Sequence, residues 1–429
     1  MRRDAQRLRC ATQPSTDGSP ASAEAAGIAV AGYRAGGHRP HLRALGRLPA
    51  AFRRGWSFPV RPCRDRRCLL CPGGGAPAQL CGIPAGAGGG LRGNHLPVAS
   101  LPALVPSGPS GNGDDRMKRI HVAAAVIRGA DGRVLIARRP EEKHQGGLWE
   151  FPGGKVEAGE AVEAALAREL EEELGIRVSA ARPLIQVRHD YPDQYVLLDV
   201  WEVAAFAGEP HGAEGQALAW VAPRQLPDYR FPAANHPIVA AARLPERYLI
   251  TPEDLSPQAL LRGLRSALEG GIRLIQLRAP NMFDPQYRDL AVDVQGLCAG
   301  RAQLMLKGPL EWLGDFPAAG WHLTARQLRE YAANGRPFPA ERWLAASCHD
   351  AEELALATRM GVDFVTLSPI EATSSHPGAS PLGWERAAEL LRGFNRPAFL
   401  LGGLGSQDLA RAWRTGAQGI AAIRGLWSE

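Results

Sequence analysis

The stretch FPGGKVEAGEAVEAALARELEEELGI, residues 151–176, decides the fold of the region around it. Its middle predicts a helix, yet Glu169, Glu171, Glu172 and Glu173 are crowded into little more than one turn. Like charges three or four residues apart on a helix cost about 0.2–0.5 kcal/mol per pair. Three of them, Glu169, Glu172 and Glu173, share one face, whereas Glu171 points elsewhere and is expected to be solvated. The stripe is therefore either a charged surface or a set of ligands that a divalent cation neutralises.

Every fixed position of the Nudix box occurs in this stretch, so the chain resembles the Nudix hydrolase family. The matching pattern is Gly154-x5-Glu160-x7-Arg168-Glu169-Leu170-x-Glu172-Glu173-x-Gly175-Ile176. The resemblance implies an α/β/α sandwich in which a loop–helix–loop holds a metal ion. The implied reaction is hydrolysis of a nucleoside diphosphate linked to another moiety.

The resemblance also implies roles for the box residues. Glu169, Glu172 and Glu173 would bind the metal, and Gly153 would add a backbone carbonyl. Mg²⁺ or Mn²⁺ is the expected cofactor because these ions prefer hard oxygen ligands. Glu169 would also deprotonate the attacking water, and Arg168 would fix a carboxylate through a bidentate contact. The predicted catalytic residues are thus Glu169, Arg168 and Glu172.

The layout before the box, IARRPEEKHQGGLWEFPGG at 136–154, resembles the MutT-type 8-oxo-dGTP diphosphatases. Arg139 would then contact a substrate phosphate or the sugar, and His144 would lie in a loop that approaches the nucleotide. The base and metal pocket would be lined by Glu150, Phe151, Pro152 and Gly153.

Two residues after the box extend this resemblance. Glu214, in GEPHGAEGQ, would supply an additional metal-site carboxylate, and Asn235, in FPAANHPIV, would read the purine. An Asn amide offers a donor and acceptors, which suits O6 and N7–H of an oxidised guanine. Plainer alternatives exist: Asn235 as a helix N-cap, and Glu214 and His144 as ordinary surface residues. Tyr191 either closes the base pocket or is a strand-edge aromatic.

From Tyr248 onward, eight apolar, strand-like runs alternate with seven helical segments. This rhythm predicts a parallel sheet closed into a (β/α)8 barrel, with a doubly wound sheet as the alternative. Chemistry in such a barrel sits at the carboxyl ends of the strands. The candidate ligand site there comprises Arg278, His349, Thr373, Ser374, Gly402 and Gly403.

Residues 247–427 resemble the thiamine-phosphate synthase/TenI family through IQLR, GWHL, SCH, SPIEATSS and LLGGL. The resemblance implies that Gly402, Gly403 and the loop around Ile423 and Arg424 hold a phosphate. The chain departs from the synthase pattern where two metal carboxylates and a diphosphate lysine are expected. The residues at those places are Ala279-Pro280, Leu306-Lys307 and Gln327. Lys307 puts a positive charge where a metal should sit, so synthase activity is doubtful.

The favoured hypothesis is hydrolysis of 8-oxo-dGTP to 8-oxo-dGMP and pyrophosphate. Two rivals are a Nudix hydrolase of thiamine-type diphosphates and a thiamine-phosphate sensor whose Nudix part does not catalyse. For the barrel, three hypotheses stand: a ligand-binding module for a thiamine-related phosphate, a TenI-like isomerase using His349 as acid and base, and a weak synthase. His349 is otherwise a plain strand-end residue.

The composition predicts three parts: a disordered or mis-annotated leader at 1–116, a Nudix domain at 117–245 and a barrel at 246–429. Residues 1–116 carry a net charge of +10, and the rest of the chain carries −4. Because the basic charge belongs to the leader, we expect no nucleic-acid binding, and without an apolar span of about 18 residues we expect no membrane binding. The MutT resemblance implies a small-molecule nucleotide substrate. Two cysteines after Met117 fit a reduced, cytoplasmic protein. Four leader cysteines, Cys63, Cys68, Cys71 and Cys81, leave a zinc site conceivable.

Overall fold

The computed structural model describes residues 118–142, 145–192, 194–373, 378 and 380–427. The predictions for residues 1–116, for His144 and for Ser374 fall outside the described residues. Both described cysteines, Cys298 and Cys348, are buried and free. Within the described ranges, no helix has the length and apolar character needed to cross a membrane.

The first region is a seven-stranded mixed sheet with the order β3-β2-β1-β6-β5, in which β4 also pairs with β1 and β7 with β2. The strands are β1 (Lys118–Arg128), β2 (Val134–Arg138), β3 (Trp149–Glu150), β4 (Gly153–Lys155), β5 (Arg177–Asp190), β6 (Gln194–Ala207) and β7 (Leu218–Val221). The two helices are α1 (Val162–Leu174) and α2 (His236–Arg243). Only the β1–β6 pair is parallel among these strands.

Alternation along β1 places one helix on each face of this sheet. Ala123, Ala125 and Ile127 pack into the core that contains α1. Ala124 and Val126 pack into the core that contains α2. Since side chains alternate across a strand, these two cores lie on opposite faces, which confirms the predicted α/β/α sandwich.

The long strand β5 does not follow from the sequence pattern. It pairs antiparallel with β6, and the register shifts near Val178, Ala180 and Pro183. These irregularities interrupt the alternation that identifies a strand, and proline cannot donate to the ladder.

The second region is a closed barrel of eight parallel strands, in the order β10-β11-β12-β13-β14-β15-β8-β9. The strands are β8 (Arg247–Ile250), β9 (Leu274–Leu277), β10 (Gln303–Leu306), β11 (Gly320–Leu323), β12 (Leu344–Cys348), β13 (Phe364–Leu367), β14 (Ala398–Leu401) and β15 (Gly419–Ala422). The α-helices are α3 (Pro257–Glu269), α4 (Asp284–Cys298), α5 (Ala325–Tyr331), α6 (Ala351–Met360), α7 (Gly383–Leu391) and α8 (Leu409–Arg414). The prediction of a (β/α)8 barrel is confirmed.

One expected barrel helix is reduced. Between β10 and β11 the chain forms only a short 3-10 helix, Leu310–Gly314, instead of an α-helix. Its segment runs GPLEWLGDFPAAG, and glycine and proline both oppose helix extension.

The barrel interior is apolar at one level and polar at the next. Tyr248, Phe364 and Phe399 contact one another at ring-centroid distances of 5.5–5.6 Å. The Tyr248 hydroxyl is hydrogen-bonded to His322 Nδ1 and accepts from Gln276 Nε2, each at 3.0 Å. These polar groups mark the side of the interior that opens into the cavity described below.

Gln418 joins the barrel to the carboxyl end of α2. Its side chain is buried, and Nε2 donates to the carbonyl oxygens of Ala241 at 3.2 Å and Leu244 at 3.1 Å. The Ala241 carbonyl lies in the last turn of α2 and also accepts the N–H of Leu244 at 3.2 Å, whereas the Leu244 carbonyl follows the helix, where intrahelical donors have run out. Gln418 therefore acts as a side-chain cap across the contact.

Replacing Gln418 with alanine is expected to destabilise the protein by about 1–3 kcal/mol, because the buried Leu244 carbonyl loses its side-chain donor and the Ala241 carbonyl keeps only the N–H of Leu244. Chemical denaturation monitored by circular dichroism measures the change. Gln225→Ala is the matched control, since Gln225 is exposed. A Gln418→Ala effect no larger than that of the control would contradict the capping role.

Candidate active site

Helix α1 owes its orientation to one apolar stripe. Ala165, Leu166, Leu170 and Leu174 are buried against the sheet, which turns the carboxylates of the helix toward β4 and solvent. Gly175 ends the helix in the left-handed region at φ 66°. A Cβ there would also lie closer than 3.0 Å to the His211 ring, so both the backbone conformation and the packing favour glycine.

The two glycines of β4, Gly153 and Gly154, let its backbone approach β1 on one side and α1 on the other. At Gly153 φ is +145°, and a Cβ would lie closer than 3.0 Å to the carbonyl oxygen of Ala123. At Gly154 a Cβ would lie closer than 3.0 Å to the carboxylate of Glu169. The backbone of β4 therefore lies directly beside the Glu169 side chain.

Arg168 organises the carboxylates around it. It makes a bidentate contact with Glu160, with Nε–Oε1 at 3.0 Å and Nη2–Oε2 at 2.9 Å. It also donates to Glu169 Oε1 at 2.8 Å and to the Lys155 carbonyl at 3.1 Å. The guanidinium holds the pKa of Glu160 below its usual value. The bidentate partner is thus Glu160, and Glu169 receives one further bond that fixes its rotamer.

Glu173 lies deeper in the same group. Its Oε2 accepts the N–H of Gly153 at 3.2 Å. Burial raises the pKa of Glu173 to about 7, the Gly153 bond opposes that rise, and neighbouring carboxylates add to it. Those neighbours are Glu150, Glu169 and Glu214. Four carboxylates therefore share one electrostatic environment, as a cation site requires.

The loop that carries Glu214 is held against the end of α1. The N–H of Ala213 and the Nε2 of Gln216 both donate to the Glu173 carbonyl, each at 3.0 Å. Gln216 Oε1 also accepts the N–H of Glu214 at 2.9 Å. Glu214 is exposed and makes a further interaction of its own. These bonds explain how a residue about forty positions from the helix reaches its carboxylates.

The donor set fits a hard divalent cation, although its members are not already gathered around one point. Among residues 118–427, apart from the undescribed gaps, no three His, Cys, Asp or Glu side chains are arranged to hold an ion. Glu172 lies farthest out, with 61% of its side chain exposed. The oxygen-only chemistry and the shared carboxylate environment agree with Mg²⁺ or Mn²⁺.

Two aromatic pairs join the segment that carries Glu150 to the segment that leads to Asn235. Trp149 contacts Tyr229 edge to face at 5.3 Å, and Phe151 stacks on Phe231 at 5.3 Å. The N–H of Trp149 also donates to the Arg230 carbonyl at 2.9 Å. These contacts hold the segment that leads to Asn235 against the segment that carries Glu150 to Gly153.

Asn235 ends a 3-10 helix and precedes α2. Its side chain makes no capping bond, so the N-cap alternative is wrong. The residue is half-buried, and its amide has no hydrogen-bond partner among the described residues. The amide is available to a ligand.

Other predicted residues of this region have partners of their own. Arg139 forms an ion pair with Glu150. The Pro152 carbonyl accepts the N–H of Ala125 at 2.8 Å, which ties the pocket segment to β1. Tyr191 contacts His189 edge to face at 4.4 Å and packs against the α2-side core. The pairing of Arg139 with Glu150 was missed because nothing in the spacing indicates it.

In the barrel, Arg278, His349, Thr373, Gly402 and Gly403 line one cavity of about 590 Å³ at the carboxyl ends of the strands. The structure thus brings together every described member of the predicted ligand site. His349 Nδ1 is hydrogen-bonded at 2.8 Å to Glu353, which is fully buried.

The same cavity contains residues that were not among the predicted ligands. Lys307, His322 and Ser347 line it beside Arg278. Gln327, which stands in place of an expected metal ligand, instead caps α5 and donates to the Gly308 carbonyl at 2.8 Å. Its role is structural.

The regions that carry these two sites match two known protein families. Residues 123–241 match the model of the NUDIX domain, and residues 247–426 match the model of thiamine monophosphate synthase. The chain belongs to the Nudix family through its first region and to the thiamine monophosphate synthase/TenI family through its second, as both resemblances predicted.

Individual proteins that are similar to each region support the two family assignments. The 8-oxo-dGTP diphosphatase of Escherichia coli is 38% identical over 124 residues, which cover 29% of this chain and 96% of that protein. The CTP pyrophosphohydrolase of Escherichia coli is 40% identical over 125 residues, covering 29% of this chain and 92% of that protein. The putative thiamine-phosphate synthase 2 of Aquifex aeolicus is 32% identical over 181 residues, covering 42% of this chain and 96% of that protein.

Proposed function

We propose that the Nudix domain hydrolyses oxidised purine nucleoside triphosphates, converting 8-oxo-dGTP to 8-oxo-dGMP and pyrophosphate. Such an activity removes a damaged precursor before a DNA polymerase can use it. The observation that carries the proposal is the arrangement of Arg168, Glu169 and Glu173 against the two glycines of β4. The stacked pair of Phe151 and Phe231 and the unpartnered amide of Asn235 belong to the neighbouring segments.

The metal would be held by Gly153, Glu169, Glu172, Glu173 and Glu214. A bound divalent ion neutralises phosphate charge and lowers the pKa of coordinated water. Arg168 holds Glu169 through Oε1, which leaves Oε2 to accept a proton from the attacking water. The water oxygen bonds to the β-phosphorus, and the bond from that phosphorus to the bridging oxygen of the nucleoside monophosphate breaks.

Arg139 would contact the phosphates or the sugar, with its guanidinium held by the ion pair with Glu150. Phe151 contributes an apolar wall, backed by its stack on Phe231. His144 would also contact the nucleotide. A pocket of this composition binds a base through apolar faces and orients it through few polar groups.

The test is steady-state hydrolysis of a nucleotide panel by the full chain with Mg²⁺. We expect kcat/KM for 8-oxo-dGTP to exceed that for dGTP by at least about tenfold, as expected for readout of the oxidised base by a polar group. Equal values for the two nucleotides, or no turnover of either, would overturn the proposal. Thiamine diphosphate belongs in the panel, since its preferred hydrolysis would favour the rival substrate class.

A pyrimidine triphosphate is the second candidate substrate, because the CTP pyrophosphohydrolase relative is as similar as the 8-oxo-dGTP diphosphatase. Overall identity therefore does not choose the base. The free amide of Asn235 favours the purine, because it can accept from N7–H and donate to O6 of 8-oxoguanine. Preferred turnover of CTP in the same panel would select the pyrimidine instead.

Asn235→Ala is expected to reduce the preference for 8-oxo-dGTP over dGTP by roughly tenfold, because the alanine site loses the bond that only the oxidised base offers. The ratio of kcat/KM values for the two nucleotides measures this effect. The turnover of dGTP serves as the internal control and should change much less. An unchanged ratio would show that Asn235 does not read the base.

For the barrel we propose binding of a thiamine-related phosphate instead of synthase catalysis. The positively charged Lys307 and the structural Gln327 replace expected metal ligands. Gly402, Gly403, Thr373 and Ser374 would contact the phosphate. Isothermal titration with thiamine phosphate tests binding, and its absence would contradict this assignment.

A further inference from the structure

Lysine is rare in this chain, and the barrel contains a single one. The four lysines are Lys118, Lys143, Lys155 and Lys307, in a chain whose lysines and arginines together number 50. Basic charge elsewhere in the barrel is therefore carried by arginine. Lys307 follows β10 directly, at the carboxyl end of the strand where barrel chemistry takes place.

The surroundings of Lys307 are polar but contain no acid that pairs with it within the described residues. Its Nζ donates to Ser347 Oγ at 3.4 Å, and Ser347 Oγ lies 3.0 Å from His322 Nε2. His322 in turn reaches the buried Tyr248 hydroxyl. Neighbouring Arg278, by contrast, is paired with Glu253.

This environment favours the neutral amine. Burial, and secondarily the charge of Arg278, lower the pKa of Lys307 to about 8. At pH 7 roughly one amine in ten would then be neutral, against fewer than about one in a thousand for an ordinary lysine. Burial also keeps His322 neutral by lowering its pKa. A desolvated lysine beside another cation is the usual form of an imine-forming amine.

We infer that Lys307 forms an imine with an aldehyde or ketone that carries an anionic group. The Nζ lone pair attacks the carbonyl carbon, a C–N bond forms, and a proton passes from nitrogen to the former carbonyl oxygen. That hydroxyl then takes the second proton from nitrogen and leaves as water as the C=N bond forms. Amine and carbonyl compound thus give imine plus one water, and no oxidant or reductant is consumed.

The far wall of the cavity indicates the anionic group. Gly402 and Gly403 follow β14 with φ values of +114° and +72°, and their N–H groups have no protein acceptor within the described ranges. Successive free backbone N–H groups in such a turn form an anion-binding concavity. Thr366 lines the same cavity, and its buried hydroxyl also has no partner among the described residues.

The cavity is large enough for such a compound, and its lining includes both Lys307 and the glycine turn of Gly402 and Gly403. Its volume of about 590 Å³ lies in the range of small-molecule sites. The glycine turn would hold the anion, as in the barrel ligand proposed above, and Lys307 would reach the carbonyl. The inference adds a covalent step at the other end of the cavity, and it does not depend on the Nudix reaction.

The test uses glyceraldehyde 3-phosphate as the probe, with sodium cyanoborohydride to reduce any imine to a stable secondary amine. Full-length protein is labelled at about pH 7.5, below the ordinary pKa of lysine, and peptide mapping by mass spectrometry locates the adduct. Among the lysines we expect the fastest adduct at Lys307, formed at least about tenfold faster than at the exposed Lys155 of the same molecule, because more of the Lys307 amine is neutral. Comparable labelling of both lysines, or labelling of Lys155 alone, would overturn the inference.

Two controls define the site. Unphosphorylated glyceraldehyde should label Lys307 at least about tenfold more slowly, because it lacks the charge that the glycine turn binds, and equal labelling would overturn the anionic requirement. Lys307→Arg should lose the fast adduct while keeping Nudix turnover, which reports a folded chain. Because peptide mapping of the wild-type protein decides the question without any variant, a misfolded Lys307→Arg protein leaves the main test intact.

Discussion

Glu173→Gln is expected to lower kcat for 8-oxo-dGTP by roughly 10³-fold, which corresponds to about 4 kcal/mol of barrier. The substitution keeps the size of the side chain, and a Gln oxygen still accepts the Gly153 N–H that Glu173 Oε2 accepts at 3.2 Å. What it removes is the charge that a divalent ion needs. Single-turnover and steady-state assays at saturating Mg²⁺ measure the loss.

The fold should survive this change. Burial raises the pKa of Glu173 to about 7, so above that pH the folded protein holds a carboxylate that is less stable there than in the unfolded chain. Removing the charge at about pH 8 therefore should not lower the melting temperature. Glu171→Gln is the matched control on the same helix, since Glu171 is exposed, and it should keep wild-type kcat. Retention of more than a tenth of kcat in Glu173→Gln would contradict the role of this carboxylate.

The sequence predicts well those elements in which apolar residues recur at a regular spacing. The eight strands of the barrel alternate with helical segments, and the helix α1 has buried residues at Ala165, Leu166, Leu170 and Leu174. In each case the local pattern and the tertiary environment agree, so the period survives in the fold. The shared carboxylate face of α1 could be counted from spacing alone for the same reason.

The elements that escape prediction depend on contacts between distant residues. The strand β5 is irregular near Pro183 and is held in place by pairing with β6. Asn235 reads as an N-cap from its position, but its amide makes no such bond. Arg168 takes Glu160 as its bidentate partner, eight residues away across a loop. Spacing along the chain carries no information about such pairings.

The chemistry of Lys307 shows the same limit. In the sequence it is only a basic residue where a carboxylate was expected. The structure adds that its Nζ reaches Ser347, that Ser347 reaches His322, and that no acid pairs with the amine in the described part of the chain. Lys307 is thus unfavourable for synthase activity, which needs a metal ligand at this position, but it suits imine formation.

Gly154→Ala is expected to lower kcat by about 10²-fold while leaving stability nearly unchanged, because a displacement near 1 Å in a reacting group costs this much. The backbone of Gly154 lies outside the left-handed region, so alanine introduces no backbone strain. Its Cβ would instead lie closer than 3.0 Å to the Glu169 carboxylate. The flexible Glu169 side chain must move, and its 2.8 Å bond from Arg168 is lost.

Gly159→Ala provides the opposite control in the same loop. Gly159 has φ of +82°, and nothing lies within 4 Å of the position of an added Cβ. Alanine there should cost about 1 kcal/mol of stability through backbone strain and leave kcat unchanged. Denaturant titration and steady-state kinetics on both variants separate the two effects. If Gly154→Ala retained full kcat, the close packing of β4 against Glu169 would be irrelevant to turnover, and Glu169 could not be the base whose position Arg168 fixes.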